Sequence, residues 1–220
     1  MQLISEGHIV WGVARSEEKL KQLAHSINNN SFHYSVCDVG IPTDIQMLKQ
    51  QMDAKGFEPD VLLLNAGVTS ISAEINHRTN YEGVVNTWQI FKQTLQRRGG
   101  TVVVSGSLFA LVPAPFNISY SQSKLDVLNF IKALSAEKEN QNIRFNYFVL
   151  GPIHTEPGVS LSFLKSLIIP SAEKTAAYIS KHLGSAGLIN IFPLSSKVMI
   201  LLNCMLPRAV MHWLMNLLKR

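Results

Sequence analysis

The segment Tyr120-Ser121-Gln122-Ser123-Lys124 places a phenol and an ammonium four residues apart. On a helix those two positions share a face, so both heads can point into one cleft. A free tyrosine, with a pKa of about 10, is a poor acid or base at neutral pH. A fixed ammonium nearby favours the phenolate and lowers that value, which suits general acid–base work. Taken alone, the pair also fits an exposed helical pair of no special role. Its surroundings add to it: Ser107 stands 13 residues before Tyr120, directly after an apolar run.

Such side chains need a frame, and the hydropathy pattern supplies one. His8–Ala14 (HIVWGVA), Phe32–Cys37 (FHYSVC), Val61–Leu64 (VLLL), Thr101–Val104 (TVVV) and Phe145–Leu150 (FNYFVL) read as strands. They show little polar alternation, as parallel sheets covered on both faces require. Between them lie helical segments with start signals. Ser16 followed by Glu17 and Glu18 places a cap and two anions at a helix N-terminus. Thr43-Asp44-Ile45-Gln46 fits a capping box. Residues 80–96, 119–138 and Ser171–Leu183 are amphipathic. This alternation predicts an α/β fold, a doubly wound and mostly parallel sheet with helices on both sides. Sheets of this kind bind ligands at the carboxyl ends of their strands. Small or polar residues fall at each of those ends: Arg15-Ser16, Asp38-Val39, Asn65-Ala66-Gly67, Ser105-Gly106-Ser107 and Gly151-Pro152-Ile153-His154-Thr155.

The composition sets outer bounds. At 220 residues with 46% apolar and 16% charged side chains, the chain can bury a sizeable core, which excludes wholesale disorder. Its two cysteines, Cys37 and Cys204, make no disulfide scaffold and form no zinc motif, so a reducing, cytoplasmic setting is expected. The opening MQLISEGH lacks the basic and apolar regions of a signal peptide, and no run reaches about 18 uncharged apolar residues. The net charge of +5 is uneven: six of the 20 Lys and Arg residues follow Glu173, the last of the 15 acidic ones. The basic pI therefore comes from the tail, and nucleic acid is not an expected partner. The scattered histidines support no metal site.

With these residues in order along the chain, the sequence resembles the short-chain dehydrogenase/reductase family of the Rossmann type. The matching positions are Asp38-Val39, Asn65-Ala66-Gly67, Asn80 in Asn80-Tyr81-Glu82-Gly83, Ser107, Tyr120-x-x-x-Lys124 and Gly151-Pro152-Ile153-His154-Thr155. The resemblance implies that Tyr120 is the acid/base and that Lys124 lowers its pKa and holds the nicotinamide ribose. It implies that Ser107 donates a hydrogen bond to the substrate oxygen and that Asn80 holds a water linking Lys124 to solvent. The cofactor would be contacted by Asp38 and Val39 at the adenine, by Asn65, Ala66 and Gly67 at the adenosine ribose, by Tyr120 and Lys124, and by Pro152, Ile153 and Thr155 after the fifth strand. Where an NAD enzyme carries an acidic residue after the second family strand, this chain has Ala14 and Arg15. A guanidinium there suits a 2′-phosphate, so NADP is favoured over NAD. The implied partner is a small-molecule carbonyl or alcohol, with an apolar character hinted at by Leu108, Phe109, Leu161 and Phe163. His154 and Phe109 read as pocket lining or as packing, and Trp11 as core. Family members also form homo-oligomers.

The sequence departs from that pattern at its start. The family's first strand and its Thr-Gly-x-x-x-Gly-x-Gly loop have no counterpart, and Gln2–Gly7 matches the end of the helix that follows them. An N-terminally truncated Rossmann-like domain is expected over 1–194, with strands His8–Ala14 and Val61–Leu64 facing each other across a gap. Either Met1 is an internal start or the chain is a degenerate, non-catalytic member. Only Val68–Thr79 separates Gly67 from Asn80, so the helix usual there must be clipped. Residues 195–220 form an apolar, basic C-terminal extension, read as helices over 196–206 and 207–219 with Pro207 in a first turn. That extension reads as a lid, a subunit interface or a peripheral membrane contact. Two rival functions follow: a non-catalytic interaction module, and a membrane-surface protein docked through its tail.

Overall fold

The computed structural model describes residues 1–155, 169–207 and 209–211. Strands and helices alternate as β1 (Val10–Ala14), α2 (Glu17–Ile27), β2 (Phe32–Val36), α3 (Pro42–Ala54) and β3 (Val61–Leu64) after a short α1 (Gln2–Ser5). A short α4 (Ala73–Asn76), α5 (Gly83–Arg98), β4 (Gly100–Ser105), α6 (Ile118–Ala136) and β5 (Ile143–Leu150) follow. The chain then forms α7 (Ala172–Lys181), β6 (Ile189–Phe192) and α8 (Leu194–Met205). Among the described residues every strand pair is parallel, as the hydropathy pattern requires.

Local chemistry explains most of the boundaries. Ser16 caps α2, its hydroxyl accepting from the Lys19 N–H at 3.4 Å, and Ser171 caps α7 by accepting from Lys174 N–H at 3.3 Å. The expected capping box at Thr43 does not form. Helix α3 begins at Pro42, whose missing N–H costs nothing in a first turn, and its N-cap Ile41 makes no side-chain bond. Asp44 turns back instead and accepts from the Asp38 N–H at 3.0 Å. The segment expected as helix from residue 80 starts with a π-helical turn, His77–Glu82, before α5 takes over. The clipped helix before it is α4, four residues long. β6 (Ile189–Phe192) was not expected: it is only four residues long and Asn190 interrupts its apolar run.

The core sits between β4, β5 and the helices α5 and α6. Val102 and Val104 of β4 and Tyr147 and Val149 of β5 are buried and packed with Trp88, Leu95, Val127, Leu128 and Ile131, while Val103 and Phe148 are buried outside that cluster, Phe148 against the Tyr178 ring. A second cluster, Cys37, Ile45, Leu48, Met52 and Phe91, lies under β1 and β3. Trp11 joins its margin and is only partly buried, because it lines the open groove; its indole N–H donates to buried Ser35 Oγ at 2.9 Å.

The strands form two sheets and not one. β1 pairs with β2, and β3–β4–β5–β6 make a separate sheet. Among the described residues the facing edges of β1 and β3 pair with no other strand, so their backbone N–H and C=O groups border a groove of about 970 Å³. The expected gap is therefore present. It also corrects the reading of β3 as a strand covered on both faces: Val61 and Leu63 are 38% and 40% exposed.

Open edges leave backbone hydrogen bonds exposed to solvent, and such regions open at low free energy. Native-state hydrogen exchange is expected to run at least about tenfold faster for the amides of β1 and β3 than for Val102–Val104 and Tyr147–Val149. Uniform protection across all four strands would show the groove edges to be sealed.

Candidate functional site

The carboxyl ends of β3, β4 and β5 lie side by side, since Leu64 pairs with Val104 and Val104 with Tyr147. Beyond β4 the chain turns at Ser107, whose hydroxyl accepts from the Phe109 N–H at 3.1 Å and so caps the 3-10 turn Leu108–Ala110. That bond uses a lone pair and leaves the hydroxyl proton free to donate. Helix α6 starts opposite, capped by Asn117, whose side-chain oxygen accepts from the Tyr120 N–H at 3.0 Å. Tyr120 thus sits in the first turn, and Lys124 follows one turn later on the same face.

Lys124 is 7% exposed. Its Nζ donates to the Ser105 carbonyl at 3.3 Å and lies 5.9 Å from the Tyr120 ring centre. Burial lowers its pKa to about 8, because the charged ammonium has lost most of its water. A Cβ on Gly67 would stand 3.2 Å from this Nζ and 3.3 Å from Asn80 Oδ1, so the bare turn after β3 lets both groups approach.

Asn80 is brought to the site, but its amide is taken up by protein. Oδ1 accepts from Val68 N–H at 2.7 Å, and Nδ2 donates to Val68 O at 2.9 Å and to Ser123 Oγ at 3.0 Å. Its side chain ties the loop after β3 to α6. Asn76 repeats the arrangement one turn earlier: it exchanges bonds with the Ser70 backbone at 2.8 Å and donates to Ser119 Oγ at 2.9 Å. The two rungs, Asn76–Ser119 and Asn80–Ser123, flank Tyr120 and Lys124. Sequence reading passed over Asn76, though the matched spacing of Asn76/Asn80 and Ser119/Ser123 was a legible signal.

Tyr147 was also missed. Its ring occupies the space a side chain at Gly106 would need, and its fully buried hydroxyl donates to the Lys124 carbonyl at 3.0 Å while facing the Ser107 N–H. It thereby joins the Ser107 turn to α6. Burial pushes its own pKa well above the usual value.

The groove between the sheets gathers Arg15, Asp38, Val39, Asn65, Ala66 and Gly67. Asp38 is held by the Gly40 N–H at 2.9 Å and stands between two guanidinium groups, Arg15 at 3.9 Å and Arg78 at 4.0 Å. Arg15 is therefore paired as well as half exposed, and Arg78 is a second cation at this corner that sequence spacing did not point to. Pro152, Ile153 and Thr155 follow the end of β5 outside that lining, and His154 bridges to Ser171. Phe109 packs edge-on against Tyr120 at 6.2 Å and Phe116 at 5.8 Å, an aromatic wall beside the phenol. Leu161 and Phe163 lie outside the described residues.

These features suit a dinucleotide at its two ends. Thr79 and Ser105 keep buried hydroxyls without a partner among the described residues, and Gly67 leaves room beside Lys124. The guanidinium pair can face a phosphate. The middle of the groove, between β1 and β3, presents open strand edges.

A family model described as short chain dehydrogenase matches residues 1–162. The chain belongs to the short-chain dehydrogenase family. Like the members of that family, it has the Rossmann-type α/β fold of NAD(P)-dependent oxidoreductases. It is 27% identical over 166 residues to the NADPH-dependent 1-acyldihydroxyacetone phosphate reductase of Saccharomyces cerevisiae, covering 70% of this chain and 56% of that protein. It is 24% identical over 211 residues to the 3-oxoacyl-[acyl-carrier-protein] reductase FabG of Buchnera aphidicola, covering 82% and 86% of the two chains. Among solved structures, an alcohol dehydrogenase from Thermococcus sibiricus superposes with a TM-score of 0.73 at 20% identity over 86% of each chain. That likeness is one of fold.

The buried ammonium gives this short-chain dehydrogenase a measurable pH signature. Unfolded, Lys124 titrates near its ordinary 10.5, and folded near 8. Between those values the unfolded state holds more protons, so stability rises with pH there. Lys124→Met is expected to be more stable than the parent at pH 7, with the gap closing as pH rises from about 8 to 10.5. Urea unfolding of both proteins across that range checks it; a gap that stays constant would show the ammonium to be fully satisfied in the fold.

Proposed function

We propose that this chain is an NADP(H)-dependent oxidoreductase interconverting a carbonyl and an alcohol, with Tyr120, Lys124, Ser107 and Asn80 as its active site. The observation that carries this reading is Lys124, a buried ammonium 5.9 Å from the Tyr120 ring and one helical turn along. The cofactor supplies the hydride. Tyr120 gives its proton to the carbonyl oxygen, or takes one from the alcohol. Lys124 favours the phenolate left behind and reaches the ribose of the nicotinamide end. Ser107 donates to the same substrate oxygen, where charge develops. Asn80 holds the loop and helix in register, which leaves the water relay to its backbone.

Asp38 and Val39 suit the adenine, Asn65, Ala66 and Gly67 the adenosine ribose, and Pro152, Ile153 and Thr155 the nicotinamide side. Arg15 suits the 2′-phosphate that distinguishes NADP from NAD, and Arg78 stands beside the same carboxylate. For substrate, an acyl-bearing ketone is favoured: both relatives are named as reductases of acyl compounds, and Phe109 and Phe116 present an apolar wall next to Tyr120. The unpaired Cys37 and Cys204 suit a reducing cytoplasm. The chain spans 56% of the yeast relative, and the open edges of β1 and β3 favour a second reading, a non-catalytic member that keeps the site residues.

The test is NADPH oxidation with a 3-oxoacyl thioester. Tyr120→Phe is expected to cut turnover by orders of magnitude and leave NADPH affinity nearly unchanged, since the hydroxyl matters mainly in the transition state. Equal rates in mutant and parent would remove the acid/base role. A parent that does not bind NADPH would select the non-catalytic reading.

Coenzyme choice is tested separately. Arg15→Ala is expected to weaken NADPH binding by about 1–3 kcal/mol, the scale of a charge-assisted hydrogen bond, and to leave NADH little altered. Titrations in which both cofactors weaken alike would assign Arg15 to the fold, through Asp38.

A further inference from the structure

Helix α8 is apolar on both sides. Its inner side holds buried Ser196 and packs Met199, Ile200 and Leu202 on the main core, with Asn203 Nδ2 donating to the Leu111 carbonyl at 3.5 Å. A lid or core-packing role accounts for that side alone. The outer side carries Leu194, Val198, Leu201 and Met205, which are 72%, 50%, 59% and 71% exposed. Their spacing of four, three and four residues is one continuous stripe along three helical turns. Val210, 40% exposed, follows it beyond Pro207. A row of large apolar side chains facing water in this way marks a surface that binds something.

We propose that the outer face of α8 docks on an anionic lipid surface. The charge around the stripe identifies the occupant. Lys197 is exposed on the same face, and from Lys174 to Arg220 the sequence holds six cations and no acidic residue. An apolar stripe with a cation beside it, in a stretch of sequence that is wholly basic, is the pattern of helices that lie in a membrane interface, where acyl chains take the apolar side chains and anionic headgroups the basic ones. A second copy of the chain offers this face no acidic residue from the same basic stretch to meet Lys197, which disfavours self-association through it. α8 is too short to enter further: no helix among the described residues is long and apolar enough to cross a membrane. Through Asn203 and Leu111 the docked face is joined to the turn that follows Ser107. The docking does not depend on catalysis by the chain.

Co-sedimentation of the full chain with vesicles tests this without any enzyme assay. The protein is expected to pellet with mixed phosphatidylcholine/phosphatidylserine vesicles at low salt, to be released at high salt, and to stay in solution with phosphatidylcholine alone. Val198→Glu and Leu201→Glu, both at exposed positions, should each lower the apparent affinity about tenfold. A polarity-sensitive fluorophore on exposed Cys204 gives an independent readout in the unmutated chain, because burial pushes the Cys37 thiol up to about 11 and keeps it unreactive. Its emission should shift to the blue on the mixed vesicles. Protein that stays in the supernatant with an unshifted probe overturns the proposal. So does a dimer in light scattering that Leu201→Glu dissociates while vesicle binding is absent.

Discussion

An ammonium taken out of water must be answered by whatever surrounds it, and the arrangement around Lys124 follows from that demand. Its Nζ reaches one carbonyl, Ser105 O at 3.3 Å, and faces the bare backbone of Gly67. The neighbours are fixed in place by other bonds. Asn76 and Asn80 clamp the loop after β3 to α6 through Ser119 and Ser123, and Tyr147 joins α6 to the Ser107 turn from below. Each of these polar groups is buried and bonded, so a shift of any one would break bonds that water cannot replace. The phenol, the hydroxyl and the ammonium therefore keep their mutual geometry by enclosure and not by direct contact.

The groove between β1 and β3 works in the opposite sense. A parallel sheet draws its stability from strands paired on both edges, and among the described residues two apolar strands each face the groove with an unpaired edge. The site cluster rests mostly on β4, β5 and α6, where the main core lies, and meets the groove through the loop after β3. The adenosine side rests on β1, β2 and the smaller cluster under them. The proposed reaction thus divides across the molecule: proton chemistry on the tight half, and most of the dinucleotide contacts on the open half.

Much of the frame was legible because it depends on local rules. The Ser16 cap, the strand cores and the clipped segment before Asn80 all follow from residue type and neighbour spacing. Misreadings arose where a residue answered to a neighbour or a partner that its own type did not announce. Thr43 was passed over as a cap because Pro42 already satisfies the first turn of α3. Trp11 looked like core, and it packs on the smaller cluster only in part, since the open groove leaves its other side uncovered. β6 is a strand because β5 offers it an edge, not because Ile189–Phe192 insists on one.

The sequence by itself determined the α/β alternation and the phenol–ammonium spacing of Tyr120 and Lys124, since each is a matter of periodicity within a few turns, and its ordered motifs carried the resemblance to the family. Tertiary structure decided the rest. That Asn80 spends its amide on Val68 and Ser123, that Tyr147 fills the space above Gly106, that Arg78 meets Arg15 at Asp38, and that α8 has one face on the core and one in water are contacts between segments far apart in the chain. Spacing constrains only near neighbours along a helix or strand. Which distant groups meet depends on how the elements pack, because burial and hydrogen-bond satisfaction are settled over the whole core at once.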